Sequence, residues 1–471
     1  DGDPRDAGLQ PVHLLLLLMT HADQPLPSAS LSREAAARIE VGSTAVSPVV
    51  ARVLVACFVT VIAGVPIVEL ASVRTRRAEG AATVWSHLAG VPREIGADLA
   101  GPARTDSGRW RRVVSANRIV LAGLTGFERA LDDESMLGRG LRPFTQAIMA
   151  AWLGAGNERV YIGRDGWLFY RPDVEYLTGP PFLRASQLRR RIAAASEWEV
   201  PPQPDPREAI VRFHHELRTR GIMLVVMPTP LKPAVHPEML AARYTDLTGA
   251  LRNPSYGPFV EDLRHAGVVV FDLSEALAGP RRSGPQYLVT DSHWRPETME
   301  VAAELLGEFI PANVHLPAAT DPGFRLDRAE VRNTGDIARM LDLSTDATLF
   351  PSESAWVQRV LQADGSPWRP SPGADVLLMG DSFSNIYSLQ SMGWGTSAGF
   401  AEQLALTLRR PVDRLVQNDQ GAFATRAMLR RAPDRLNGKR VVVYQFAARE
   451  LAFGDWKVLP LPAAGDRSPE R

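Results

Sequence analysis

From about residue 156 onward, short apolar runs alternate with longer amphipathic stretches. IMLVVM (222–227), VVVFDL (268–273), VLLM (376–379), VDRLV (412–416) and VVVYQF (441–446) are the clearest runs, with helical patterns between most of them. Continuous apolar runs of this kind predict an α/β fold with a mostly parallel sheet covered on both faces. ERVYIGRDGWLFY (158–170) predicts two short strands about a tight Asp165-Gly166 turn. A helix is expected over about 206–220. Residues 313–370 break the rhythm with Pro-, Asp- and Ser-rich text, and predict an insertion or irregular lobe.

Upstream the pattern is different. Residues 1–47 are Pro/Ser/Ala-rich and read as a flexible tail, as does 460–471 at the other end. VHLLLLLM (12–19) is too short to span a bilayer, and no cleavable signal peptide is recognisable. Val53–Val68 is an uncharged run flanked by Arg52 and Glu69, and predicts a membrane anchor over 48–72. Its length falls slightly short of the roughly 20 residues a spanning helix wants, and a buried or interfacial helix is the alternative. Arg33, Arg38 and Arg52 before it balance Arg74, Arg76 and Arg77 after it, so the positive-inside rule gives no orientation. RIVLAGLTGFERAL (118–131) and FTQAIMAAWL (144–153) make 73–155 a helical connector leading to a catalytic domain over 156–459.

Composition narrows the function classes. Apolar residues are 45% and charged residues 23% of the 471, as in ordinary folded chains. Lys plus Arg equals Asp plus Glu at 53 each, which gives no support for a nucleic-acid partner. The single cysteine, Cys57, excludes an internal disulfide framework and any multi-thiolate zinc site.

Candidate chemistry gathers at two strand ends, where open α/β sheets bind their ligands. VLLMGDSFSN (376–385) runs from a buried strand into Gly380-Asp381-Ser382 and then a helix start. There, free backbone amides and a helix dipole favour negative charge, so a serine nucleophile and part of its oxyanion hole can be built together. The plain alternative is that Asp381 or Ser382 caps the helix. Among the nine histidines, His293 stands out, in Thr290-Asp291-Ser292-His293-Trp294, ahead of a Pro296 helix start. Residues two apart in extended backbone point the same way, so Asp291 can stand beside His293 and orient its ring. An ordinary turn with a satisfied histidine is the alternative. A metal reading lacks further ligands, since there is no H-E-x-x-H or similar cluster.

Taken together, GRDGWLF (163–169), VVMPTPLKPAVHPE (225–238), TDSHW (290–294), GDSFSN (380–385), SAGFAEQLALTLRRPVDRL (397–415) and VVVYQFAARELAFGDW (441–456) resemble the periplasmic alginate O-acetyltransferase family. The resemblance covers about 156–457. It implies an SGNH-hydrolase-like three-layer domain in which Asp-x-His precedes Gly-Asp-Ser, the reverse of the standard SGNH order, and this chain has that order. Carried over by position, it implies Ser382 as nucleophile, His293 as general base and Asp291 as its orienting carboxylate. Gly421, in QNDQG (417–421), is the candidate for the oxyanion-hole glycine. No Gly-x-Asn-Asp follows the last strand, so Tyr444 or Arg449 is the candidate for the remaining element, against core and ion-pair readings of the two. Arg409 is a further polar candidate. Trp294, Tyr387 and Trp394 are candidates to stack on a sugar ring, against ordinary packing. The activity implied is acetyl transfer, through an acetyl-serine, to hydroxyls of an exported polysaccharide, alginate or another exopolysaccharide. Nothing resembles a coenzyme A site, and no cofactor is implied. A multispanning membrane O-acyltransferase is implied as donor partner, with a single inner-membrane span and the catalytic domain in the periplasm. A carbohydrate esterase with the same residues, and a non-catalytic polysaccharide-binding subunit, are the rivals.

Overall fold

The helical periodicity expected over 118–131 and 144–153 is realised in two long helices. The computed structural model describes residues 47–78, 85–100, 108–134, 136–195, 200–278, 284–344 and 348–462; the tails expected at 1–47 and 460–471 lie almost wholly outside them. Two compact units divide the chain, Asp1–Leu137 and Gly138–Arg471. In the first, helix α1 (Pro48–Ala78) precedes two short helices and then α2 (Gly108–Glu134), with Trp85 and Phe127 in ring contact. Helix α3 (Met136–Leu153) falls almost entirely in the second. The segment expected as a membrane anchor is thus helical. Among the described residues, however, no helix is long and apolar enough to cross a membrane. The physical reason is the one visible in the text: the uncharged run closes early, between Arg52 and Glu69.

The second unit carries the sheet. Strands β1 (Val160–Ile162) and β2 (Leu168–Tyr170) pair antiparallel about Asp165-Gly166. Helix α4 (Pro206–Arg218) starts on the Asp205 N-cap with Pro206 in its first turn, then leads to β3 (Met223–Thr229). After α5 (Tyr256–His265) comes β4 (Val269–Val270), and after it α6 (Pro296–Asn313). Residues 313–370, expected to be irregular, instead hold two nine-residue strands, β5 (Arg325–Asn333) and β6 (Glu353–Leu361), paired antiparallel with helix α7 (Asp336–Met340) between them. Their strand character was masked because one face is solvent-exposed and charged. Only Ala355, Val357 and Val360 of β6 are buried, and no residue of β5 is. The chain then runs through β7 (Val376–Gly380), the single-turn α8 (Ser382–Asn385), α9 (Phe400–Leu408), β8 (Asp413–Val416), α10 (Ala424–Arg431) and β9 (Val441–Ala447).

Five strands form one all-parallel sheet in the order β4-β3-β9-β7-β8. The last strand in sequence is therefore the central one. Every residue of β7 and β9 is buried, which explains their unbroken apolar text. Successive side chains of β9 point to opposite faces. Tyr444 meets Phe213 of α4 edge to face, while Gln445 turns to Thr229 of β3 and Ser384 of α8. All strands end on the same side, and the order changes direction around β9. That is where α/β sheets place their sites.

Candidate active site

Strand β7 ends at Gly380, and the chain turns at Asp381 into Ser382, the first residue of α8. Asp381 is the N-cap, its Oδ1 accepting from Phe383 N at 2.9 Å. The same carboxylate also accepts from Gln445 Nε2 at 2.9 Å and, on Oδ2, from Ala447 N at 2.6 Å. Gln445 completes the clamp: its Oε1 accepts from Asp381 N (3.0 Å) and Ser384 Oγ (2.7 Å), and its Nε2 also donates to Thr229 Oγ1 (2.8 Å). All four hydrogen-bonding positions of this buried amide are used. The turn has no room for a side chain at Gly380, where a Cβ would lie 2.3 Å from Ser384 Oγ and 2.8 Å from Gln445 Oε1. Helix α8 is a single turn, so the dipole expected behind Ser382 is slight. What remains is the amide of its first residue, which has no intrahelical acceptor.

His293 and Asp291 reach the same point from the segment before α6. His293 Nε2 lies 2.9 Å from Ser382 Oγ, and His293 Nδ1 lies 2.7 Å from Asp291 Oδ1. Asp291 and His293 are buried, while Ser382 is half-buried at the edge of a cleft. Burial alone would raise the Asp291 carboxyl, but the bond and charge of His293, the Trp394 indole and the Asp336 amide hold it well below its ordinary value. Burial alone would lower His293, but Asp291's hydrogen bond and charge, with Asp336's charge, raise it above 6.5. An ionised Asp291 can only accept, so Nδ1 carries the ring's proton and Nε2 is left to accept from the Ser382 hydroxyl.

The other residues singled out in the sequence divide. Gly421 lines the Ser382 cleft together with Gln417, Asn418, Tyr444, Arg449 and Glu450. Arg449 pairs with the buried Asp173 (Nη1 to Oδ1, 3.0 Å); burial opposes its charge, but Asp173, Asp381 and Glu450 outweigh it and raise its pKa. The Tyr444 hydroxyl donates to Ala422 O and accepts from Arg426 Nε (3.2 Å) within the core. Arg409 is elsewhere: it ends α9 exposed, and its neighbour Arg410 bonds Asp375 at the foot of β7, the end opposite Ser382. No sugar platform is formed by Trp294, Tyr387 or Trp394, which are all fully buried. Trp294 Nε1 donates to Phe383 O (3.2 Å) and Tyr387 OH to Trp294 O (2.6 Å). Trp394 Nε1 donates to Asp291 Oδ2 at 2.8 Å, so it steadies the carboxylate behind the imidazole.

Three residues beside the site were not found by sequence reasoning. Gln445 is the first, visible only as a departure from the expected strand-end motif. Asp336 is the second: it opens α7 and bonds Ser292 and Asp291. Lys232 is the third. Its buried ammonium donates to Val289 O (2.8 Å) and Asp291 O (3.0 Å), above the rings of Trp167 and Phe169. Burial brings it down to about 7, against the pull of Asp291, Asp336, Glu353 and Asp173. Asp291, His293 and Asp336 place ligand-type atoms close together. The carboxylate oxygens and Nδ1 are nonetheless committed to one another, to Ser292 and to Trp394, which suits a proton relay better than a cation.

The family described as "SGNH hydrolase-like domain, acetyltransferase AlgX" matches residues 160–448, more than half of the chain and all three residues of the relay. The probable alginate O-acetylase AlgJ of Pseudomonas aeruginosa is 28% identical over 356 residues, 72% of this chain and 84% of its own. Its counterpart in Azotobacter vinelandii is 23% identical over 359 residues, 72% of this chain and 83% of its own. Among solved structures, the O-acetyltransferase domain of Pseudomonas putida AlgJ aligns with a TM-score of 0.46 at 23% identity, covering 62% of this chain and 92% of that one.

Proposed function

The chain belongs to the family of the SGNH hydrolase-like acetyltransferase AlgX, and from that premise we propose that it carries acetyl groups on Ser382 to hydroxyls of an exported polysaccharide. It is an O-acetyltransferase, like the relatives named alginate O-acetylase. The observation that carries the mechanism is the unbroken line Asp291–His293–Ser382, at 2.7 and 2.9 Å, ending at a cleft.

In the first half-reaction His293 Nε2 takes the Ser382 proton as Oγ attacks the acetyl carbonyl of a donor ester. The backbone amides of Ser382 and Gly421, residues that both line the cleft, are the donors proposed for the oxyanion. Collapse breaks the bond to the donor oxygen, which leaves with the proton held on His293, and Ser382 is acetylated. In the second, a sugar hydroxyl gives its proton to His293 and attacks the acetyl-serine, restoring the free serine. Asp291 stays ionised and stabilises the imidazolium at both steps. Donor and acceptor use the same serine in turn, so ping-pong kinetics follow.

The acceptor is exported, which places the catalytic domain in the periplasm, and α1, with Val53, Leu54, Val55, Phe58 and Val59 exposed, is the segment proposed to hold the protein at the inner membrane. A multispanning membrane O-acyltransferase is the proposed acetyl donor. Membrane fractionation with and without residues 48–78 tests the tether: release of the shortened protein supports it, and an unchanged distribution contradicts it. For the reaction itself, the purified protein is given an activated acetyl ester and an oligosaccharide. Acetyl on the sugar supports the transferase, acetate alone supports an esterase, and neither product supports a binding subunit.

A further inference from the structure

The relay needs one carboxylate, yet two stand behind the imidazole. Asp336 accepts twice from Ser292, on Oδ1 from the amide (2.7 Å) and on Oδ2 from the hydroxyl (2.6 Å). Its own amide donates to Asp291 Oδ2 at 2.9 Å. The Ser292 hydroxyl proton is committed to Asp336, so Ser292 Oγ faces His293 Nδ1, 3.2 Å away, as an acceptor. Asp336 Oδ2 itself is 3.7 Å from Nδ1. The proton on Nδ1 is thus drawn by Asp291 directly and by Asp336 through a polarised hydroxyl.

Backbone geometry holds Asp336 there. Gly335 has a φ of 86°, and a Cβ on it would lie 2.4 Å from Thr290 O. Ala338 N donates to the same carbonyl at 3.2 Å, which fastens the start of α7 to the segment bearing the relay. On the reading of His293 as the base, we infer that Asp336 is a second carboxylate of the relay, a positioning residue that acts through Ser292 and Asp291. It fixes the Nδ1–H tautomer of His293 and strengthens the hold of Nε2 on the proton taken from Ser382.

The other charged or titratable groups around the pair do not duplicate this role. Lys232, reaching in from the turn after β3, bonds main-chain carbonyls. Glu353 of β6 accepts from Val289 N and Arg295. Arg449, following β9, is tied to Asp173, and the Tyr170 phenol of β2 is partly buried with its pKa raised. Burial and the charge of Asp291 push the Asp336 carboxyl up to about 6.

The test follows His293 itself rather than turnover alone. In folded Ser382→Ala protein with 15N-labelled histidine, NMR gives the His293 titration with and without Asp336→Asn. Losing the charge is expected to lower the His293 pKa by about one unit. In enzyme with Ser382 intact, Asp336→Asn is expected to move the acid limb of kcat/KM down by the same amount and to lower its plateau about tenfold. Ser292→Ala keeps both carboxylates but cuts the link, and is expected to shift the limb in the same direction by less. It carries the test alone if Asp336→Asn does not fold. An unmoved His293 titration and acid limb in the folded variants overturns the inference, even where the plateau falls, because a purely structural role predicts that result. Failure of the underlying reading looks different: Ser382→Ala then transfers acetyl normally whatever His293 does.

Discussion

Ser382 owes its place to its neighbours' side chains as much as to its own. Asp381 and Gln445 tie the end of β7 to the end of β9 through the two sides of one amide. Replacing Gln445 with Leu leaves the Asp381 amide and the Ser384 hydroxyl without their acceptor. It is expected to cost about 1–3 kcal/mol of stability, measured by denaturant unfolding, and to lower kcat. Gly380→Ala pushes a methyl into Ser384 Oγ and Gln445 Oε1 and is expected to destabilise by a similar amount, about 1–3 kcal/mol. Trp394→Phe keeps the bulk of the ring but removes the bond to Asp291, and is expected to reduce kcat/KM on the order of tenfold. The pH dependence has a definite sign. His293 must be neutral to accept the serine proton and its pKa is raised, so kcat/KM falls as pH drops through a value above 6.5. Stability runs the other way for this group: the protonated His293–Asp291 pair stabilises the fold fully below about 6.5, and that contribution is lost as pH rises through the raised value.

At the scale of elements, legibility followed burial. Strands β3, β7 and β9 are covered on both faces, so their apolar runs announced them, and the Asp165-Gly166 hairpin announced itself by its turn. The ribbon β5–β6 has one wet, charged face, so its text predicts an irregular lobe. Ser382, His293 and Asp291 were legible because they sit in two short motifs; Gly-Asp-Ser follows strand β7 as expected, whereas no strand leads into Thr290–Trp294, where a single bridge pairs Tyr287 with Trp294. Asp336 was not, because it lies within 313–370, whose text predicts an irregular lobe, and its partner Ser292 lies 44 residues earlier. Aromatic residues beside a motif gave no sign of which way they face. Trp294, Tyr387 and Trp394 are fully buried packing beside the relay, with Trp394 bonded to Asp291. Lys232 likewise sat in a breaker-rich turn, with nothing local to show that its ammonium reaches Asp291 O.

For the molecule as a whole, the sheet order explains how residues from distant parts of the chain meet. Central β9 separates β3, whose following segments lead to Asp291 and His293, from β7, which ends at Ser382. The site therefore forms only when the C-terminal strand is in place, and removal of residues 441–462 is expected to abolish folding of the catalytic unit, as seen by loss of its cooperative unfolding transition. Transfer and hydrolysis share every step up to the acetyl-serine and differ only in which hydroxyl arrives next. The acetyl-serine is measured directly by mass spectrometry of the peptide carrying Ser382, after brief exposure to an activated acetyl ester and then to an oligosaccharide. Catalysis through an acetyl-serine puts an acetyl group on Ser382 that disappears as the sugar becomes acetylated. Acetyl transfer at the wild-type rate by folded Ser382→Ala, or a label that never resides on Ser382, would contradict it.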